Sequence, residues 1–172
     1  PKEFNLIELG AGNGEMIKVL ANTFDKFPTF KNSCHIKILE RSILLKKKQK
    51  ANINEKNIKW LNDLNELNSL PCIFLANEFF DALPIKQFIK KEKKWFERHV
   101  RFFNNKFEYF NVPFDMEKFE NKIKFKIAKQ QNFIEYSPQL TEYLKIINNK
   151  IKRNNGGILI IDYAYIDKKM KN

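Results

Sequence analysis

Apolar residues along this chain fall into short runs separated by amphipathic stretches. Phe4–Leu9 reads as a short buried strand, and Glu15–Phe27 has helical periodicity through Met16, Val19, Leu20 and Phe24, with Pro28 as its stop. His35–Glu40 reads as a second strand, Ser42–Ala51 as a basic helix, Asn57–Leu61 as a third strand and Cys72–Ala76 as a fourth. Strands that alternate with helices imply parallel pairing and right-handed crossovers, which makes the fold class α/β. The period changes after Pro84. Trp95–Phe103 alternates, Asn104-Asn105-Lys106 is a turn and Phe107–Asn111 returns, so this stretch is expected to be an inserted β-hairpin. Val112–Asn132 has no clear period. Ser137-Pro138 then reads as an N-cap and first helical position. The helix is expected to run through Leu140, Tyr143, Leu144, Ile147 and Ile151 to a stop at Gly156-Gly157, and Ile158–Tyr163 is a fifth buried strand.

The chain has 172 residues, 43% of them hydrophobic and 30% charged, which suits one globular domain with a sizeable core. Its net charge of +12 invites a nucleic-acid reading. The excess is nearly all Lys, however, and comes with abundant Asn, Ile and Phe. That reads as a compositional bias, with a functional basic surface as the lesser alternative. Cys34 and Cys72 lie far apart with no CxxC spacing, which points to a reducing compartment without a disulfide framework. Cys34 and His35 are adjacent and would face opposite sides of a strand, a poor chelate, so no metal is expected. His35 and His99 are solitary and read as structural or surface groups. No apolar stretch is long enough to span a bilayer. The chain begins at Pro1 and runs almost at once into a strand, so it is expected to be a segment of a longer protein.

Two strand ends carry candidate chemistry, because ligands of open α/β sheets bind outside the carboxyl ends of the strands. The first is Glu8-Leu9-Gly10-Ala11-Gly12-Asn13-Gly14, where glycines let the backbone approach a ligand near a helix N-terminus. The dinucleotide pattern GxGxxG fails here, since the third glycine would fall at Glu15, an anion beside a pyrophosphate. Acid-x-Gly-x-Gly-x-Gly suits S-adenosyl-L-methionine, which has no phosphate and carries an ammonium and a sulfonium. Glu8 would sit near that cationic end, with Gly10, Ala11, Gly12 and Gly14 along the cofactor. Glu40 closes the second strand and either accepts hydrogen bonds from ribose hydroxyls or is a surface carboxylate paired with Arg41 or a Lys. Asn62 and Asp63 end the third strand, where they either read an adenine amino group or form a cap. The second strand end is Ala76-Asn77-Glu78-Phe79-Phe80-Asp81-Ala82-Leu83-Pro84, an amide and two carboxylates around paired aromatics.

These motifs, with Leu39-Glu40-Arg41-Ser42, Trp60, Gln87-Phe88, Trp95-Phe96-Glu97-Arg98, Glu135-Tyr136-Ser137-Pro138 and Ile160-Ile161-Asp162-Tyr163, fall in the same order as in the MidA family. The chain resembles that family over nearly its whole length. The family consists of S-adenosyl-L-methionine-dependent methyltransferases and includes the mitochondrial complex I assembly factor with protein-arginine methyltransferase activity. Position 164 is Ala where the family usually has Gly. The resemblance implies a truncated, Rossmann-like class I methyltransferase sheet, with core segments 1–84 and 133–164 and an inserted substrate region over about 85–132. It implies methyl transfer to a nitrogen, with Glu78 and Asp81 positioning a guanidinium and Asn77 holding the cofactor or the acceptor. Phe79 and Phe80 either wall the pocket or pack in the core, and Glu97-Arg98 either reach the site or form a cross-strand ion pair. The implied partner is a protein, with a respiratory complex I subunit as one candidate. The implied location is cytoplasmic in a bacterium and the mitochondrial matrix in a eukaryote. The alternatives are a nucleic-acid N-methyltransferase and a non-catalytic, cofactor-binding assembly factor.

Overall fold

The computed structural model describes residues 2–53 and 57–163. Ala164 and the terminal 168–172 lie outside the described residues. The chain divides into two compact units, one running to Leu83 and resuming at Leu140, the other covering Pro84–Gln139.

The first unit is built on five parallel strands: β1 (Phe4–Leu9), β2 (Cys34–Leu39), β3 (Lys59–Leu61), β4 (Cys72–Asn77) and the last strand of the chain, Gly156–Ile161. Their spatial order is β3-β2-β1-β4 and then Gly156–Ile161. The chain winds outward from β1 to β3 and then returns to β4 on the other side of β1. The switch point, where such sheets open a ligand crevice, therefore lies between the carboxyl ends of β1 and β4. Three helices follow the early strands: α1 (Glu15–Phe24), α2 (Pro28–Ser33) and α3 (Ile43–Asn52). Pro28 does not terminate one long helix. The first helix ends at Phe24, and Pro28 opens a second, short one at the position where its missing N–H costs nothing. Ser42 caps α3 by accepting from the Leu45 N–H.

Both faces of the parallel sheet are covered over its central strands β1 and β2, whereas the edge strand Gly156–Ile161, expected to be buried, leaves Leu159, Ile160 and Ile161 exposed. On one face Ile7, Leu9, Leu39, Phe74, Ala76 and Phe80 pack with Ile147 of the long helix Pro138–Asn154. On the other, Ile36 and Ile38 pack with Ile17 and Ala21 of α1. The long helix stops at Asn154 because Asn155 turns left-handed (φ 66). Gly156 is the first residue of the following strand, not a helix stop. A Cβ there would lie 1.8 Å from the Cys72 carbonyl oxygen.

The second unit contains the expected hairpin, Trp95–Asn111, within a larger antiparallel sheet. Lys86–Lys91 (β5), Lys94–Phe103 (β6), Lys106–Pro113 (β7) and Phe133–Tyr136 (β8) form a four-stranded antiparallel sheet in the order β7-β6-β5-β8. This unit extends to Gln139, not to about 132, because Phe133–Tyr136 pairs with β5. The ambiguous stretch contains helix α4 (Met116–Ile123), capped by Asp115, whose Met116 and Phe119 pack on Phe88. The long helix Pro138–Asn154 is α5 and the strand Gly156–Ile161 is β9 in chain order. Among the described residues no helix is long and apolar enough to cross a membrane.

Candidate functional site

The parallel sheet places the candidates along one edge. Backbone bonds hold the strand ends level: the Gly10 N–H donates to the Leu39 carbonyl (3.0 Å), the Glu40 N–H to the Leu61 carbonyl (3.2 Å) and the Glu78 N–H to the Ile161 carbonyl (2.9 Å). The glycine loop then turns with Gly10, Gly12 and Gly14 all at positive φ, a conformation that glycine enters without the Cβ penalty. Gly14 also faces Ile53, whose Cδ1 would lie 2.7 Å from an added Cβ. Gly12 has open space where its Cβ would be. The backbone is thus bare on the side from which a ligand would approach.

Glu8 is 3% exposed on the α1 side of β1. Burial pushes its carboxyl up to about 7, against the Ile17 backbone hydrogen bond, which favours the charged form. Its Oε2 is buried and has no hydrogen-bond partner among the described residues. A buried carboxylate oxygen left unpaired costs free energy, and a cation beside it would remove that cost.

Glu40 is buried, not a surface carboxylate paired with Arg41 or a Lys. The Ser42 N–H donates to its Oε1 (2.8 Å) and the Gln49 amide to its Oε2 (3.1 Å). Gln49 is fully buried and also donates to the Gly12 carbonyl (2.9 Å), while its own Oε1 accepts from the Trp60 indole N–H (2.8 Å). One turn on, Asn52 donates to the Asn13 carbonyl (3.1 Å) and to Glu15 (2.6 Å). Helix α3 therefore clasps the glycine loop through Gln49, inside the expected basic helix, and through Asn52, one residue past its expected end. The i, i+4 spacing of Leu45, Gln49 and Ile53 is the signal that sets Gln49 on an inward face.

Asn62 and Asp63 stand at the outer strand, and both are exposed. Asp63 caps the turn Leu64–Glu66 in a capping box, and Asn62 accepts from the Lys46 ammonium (2.5 Å). The cap expected as their alternative role is therefore present.

At the end of β4, Asn77, Glu78 and Asp81 are exposed. Glu78 takes a left-handed backbone conformation (φ 47), uncommon for a residue with a side chain and the kind of local strain found at functional tips. Phe80 packs in the core. Phe79 lies edge-on to Phe80 and Tyr143 and reaches across to Gly10, where an added Cβ would meet its ring at 2.7 Å. The two strand ends thus touch through Phe79. Asp81 accepts from the Tyr163 hydroxyl, and that hydrogen bond raises the phenol's pKa. In the second unit, Glu97 is held by a cross-strand ion pair with Lys86 (2.7 Å), and Arg98 lies over the Tyr109 ring.

The comparisons with known proteins agree with this arrangement. Residues 1–172 match the model of the family described as "Putative S-adenosyl-L-methionine-dependent methyltransferase". Among curated proteins, the chain is 24% identical to the mitochondrial protein arginine methyltransferase NDUFAF7 of Xenopus tropicalis, over 98% of this chain and 45% of the relative. It is also 24% identical to the Homo sapiens protein of that name, over 94% of this chain and 42% of the relative. The chain thus spans less than half the length of these relatives. A COG1565 superfamily member from Burkholderia thailandensis, crystallised with S-adenosyl-homocysteine, shares the fold with a TM-score of 0.65 at 17% identity, covering 84% of this chain and 38% of that one. With the whole chain matched by the family model and the sheet shared with that neighbour, this chain belongs to the MidA family of class I S-adenosyl-L-methionine-dependent methyltransferases.

Proposed function

We propose that this chain supplies the cofactor site of an enzyme that methylates arginine in a protein. The observation that carries the reading is the buried, unpartnered Oε2 of Glu8 beside a glycine loop whose backbone is open at Gly12. A phosphate-bearing cofactor would be repelled there, and one with an ammonium would be held. Glu8 serves the cationic methionine end, the backbone of Gly10, Ala11, Gly12 and Gly14 borders the cofactor, and Glu40 accepts from the ribose hydroxyls. Asn62 and Asp63 serve the adenine amino group, Asp63 while also capping Leu64–Glu66. Asn77 holds the cofactor or the acceptor. When bound, the cofactor supplies a methyl group on a sulfonium that is already primed to leave.

The chain's own contribution is then orientation and exclusion of water. Glu78 and Asp81 orient the guanidinium by charge-assisted hydrogen bonds and stabilise its positive charge. Phe79 walls the crevice at Gly10. The segments 1–84 and 140–163 act as the methyltransferase core, and the antiparallel unit acts as the substrate region. The names of the curated relatives support a protein acceptor and, in a eukaryote, a mitochondrial location. A subunit of respiratory complex I is the acceptor to try first, and a bacterial protein of this kind would work in the cytoplasm.

The test is calorimetry with S-adenosyl-L-methionine and NAD, followed by methyl transfer by the full-length protein to an arginine-bearing protein. NAD binding as tightly as S-adenosyl-L-methionine sinks the cofactor reading. Transfer to RNA in place of protein sinks the acceptor reading. Cofactor binding with no transfer to any acceptor leaves an assembly factor.

A further inference from the structure

We infer that Gln49 is a positioning residue for ribose recognition, locking the Glu40 carboxylate and the Gly12 loop into one arrangement before any ligand arrives. The inference rests on the proposed ribose role of Glu40. Three elements meet at this one buried amide: the loop after β1 through the Gly12 carbonyl, the end of β2 through Glu40, and β3 through Trp60. The amide can point only one way. The indole N–H is a donor without acceptor capacity, so it must face the Gln49 oxygen, and the carbonyl and carboxylate accept, so they must face the Gln49 nitrogen. Each hydrogen of that nitrogen has one partner, and nothing is left over.

The consequence falls on Glu40. A carboxylate offers about four acceptor sites, and here the Ser42 N–H takes one on Oε1 and Gln49 takes one on Oε2. Among the described residues one site on each oxygen has no partner, which is the arrangement a vicinal diol needs. A glutamate without these two donors would hold the same charge over several rotamers and lose affinity in ordering itself. The indole reinforces the lock, since removing its N–H would free the amide to flip and turn its oxygen toward Glu40. A core amide satisfied only for stability would have no such effect on ligand selectivity.

The test compares S-adenosyl-homocysteine with its 2′,3′-dideoxyribose analogue, titrated by calorimetry into the full-length protein. The wild type should prefer the diol by about ten- to a hundredfold, the worth of hydrogen bonds to a charged group. Gln49→Met keeps the volume and removes every hydrogen bond. It should lower that preference several-fold, since the Ser42 N–H still holds Oε1, and Glu40→Ala added to it should remove what is left. If Gln49→Met fails to fold by circular dichroism, Trp60→Phe decides, because it removes the indole N–H, together with part of a ring that is only partly buried, while leaving Gln49 itself in place, and should reduce the diol preference part of the way. A folded Gln49→Met, or failing that a folded Trp60→Phe, that keeps the full diol preference overturns the inference. Failure of the underlying reading looks different: the wild type itself would bind both ligands equally, and Glu40→Ala would change nothing.

Discussion

Glu8 gives the sharpest test of what the glycine loop is built to hold. Burial pushes its carboxyl from an ordinary 4.5 up to about 7. That difference corresponds to about 3 kcal/mol between its two protonation states. Because the folded-state value is raised, the folded protein binds the proton more tightly than the unfolded chain. The stability this contributes is full below about pH 4.5 and is lost as pH rises to about 7, beyond which it stays lost. A ligand ammonium beside Oε2 reverses the preference and favours the carboxylate. Binding must then expel the proton from any site that holds one. Below about pH 7 the affinity for S-adenosyl-L-methionine should fall nearly tenfold per pH unit, and close to one proton should leave per ligand bound at about pH 6. The ligand's own amino group stays charged across this range, with an ordinary value of about 7.7–8.0. Calorimetry in buffers of different ionisation enthalpy reads both quantities. Glu8→Gln should bind weakly with no pH dependence over the same range, and should escape the loss of stability between about pH 4.5 and 7. An affinity that stays flat from about pH 5 to 7, with no proton released, would refute the assignment and leave Glu8 as a neutral acid of the scaffold.

Other positions separate binding from chemistry and from folding. Glu40→Ala should weaken S-adenosyl-homocysteine by about 1.5–3 kcal/mol in calorimetry; unchanged affinity removes Glu40 from the ribose site. Gly12→Ala meets no neighbouring atom, so its stability cost should be about 1–2 kcal/mol from the left-handed backbone alone, while cofactor affinity falls much further; equal small losses would place the ligand elsewhere. Glu78→Gln and Asp81→Asn should leave cofactor affinity nearly intact and cost about 2.7–4 kcal/mol in transition-state stabilisation, read as kcat/KM on an arginine-bearing protein. Asp81→Asn should also let the Tyr163 phenol return toward its ordinary value in an ultraviolet titration. Gly156→Ala drives a Cβ into the Cys72 carbonyl and should destabilise the first unit by more than about 3 kcal/mol in denaturant unfolding.

Features that depend on neighbours along the chain were legible in the amino-acid order. Alternation of β1, α1, β2, α3 and β3 was written in the apolar period, as was the break at Gly10–Gly14, because side-chain burial on a strand or helix repeats with local geometry. The polarity step at Asn77–Asp81 marked a strand end for the same reason. What the tertiary structure decided are the meetings. The order β3-β2-β1-β4-β9 brings the end of β4 beside the glycine loop, and only that order sets Phe79 against Gly10. The antiparallel sheet was half visible. The β6–β7 hairpin is local and its turn names itself. β5 is lysine-flanked and β8 is a four-residue strand, and the two pair across α4, so neither carries enough apolar pattern to announce a partner. Gln49 is the clearest case. In the chain it stands among lysines, in Lys46-Lys47-Lys48-Gln49-Lys50, and reads as solvated surface. Packing of α3 over the loop after β1 turns this one position inward, where a buried amide must find partners for its oxygen and both its hydrogens, and Gly12, Glu40 and Trp60 supply them.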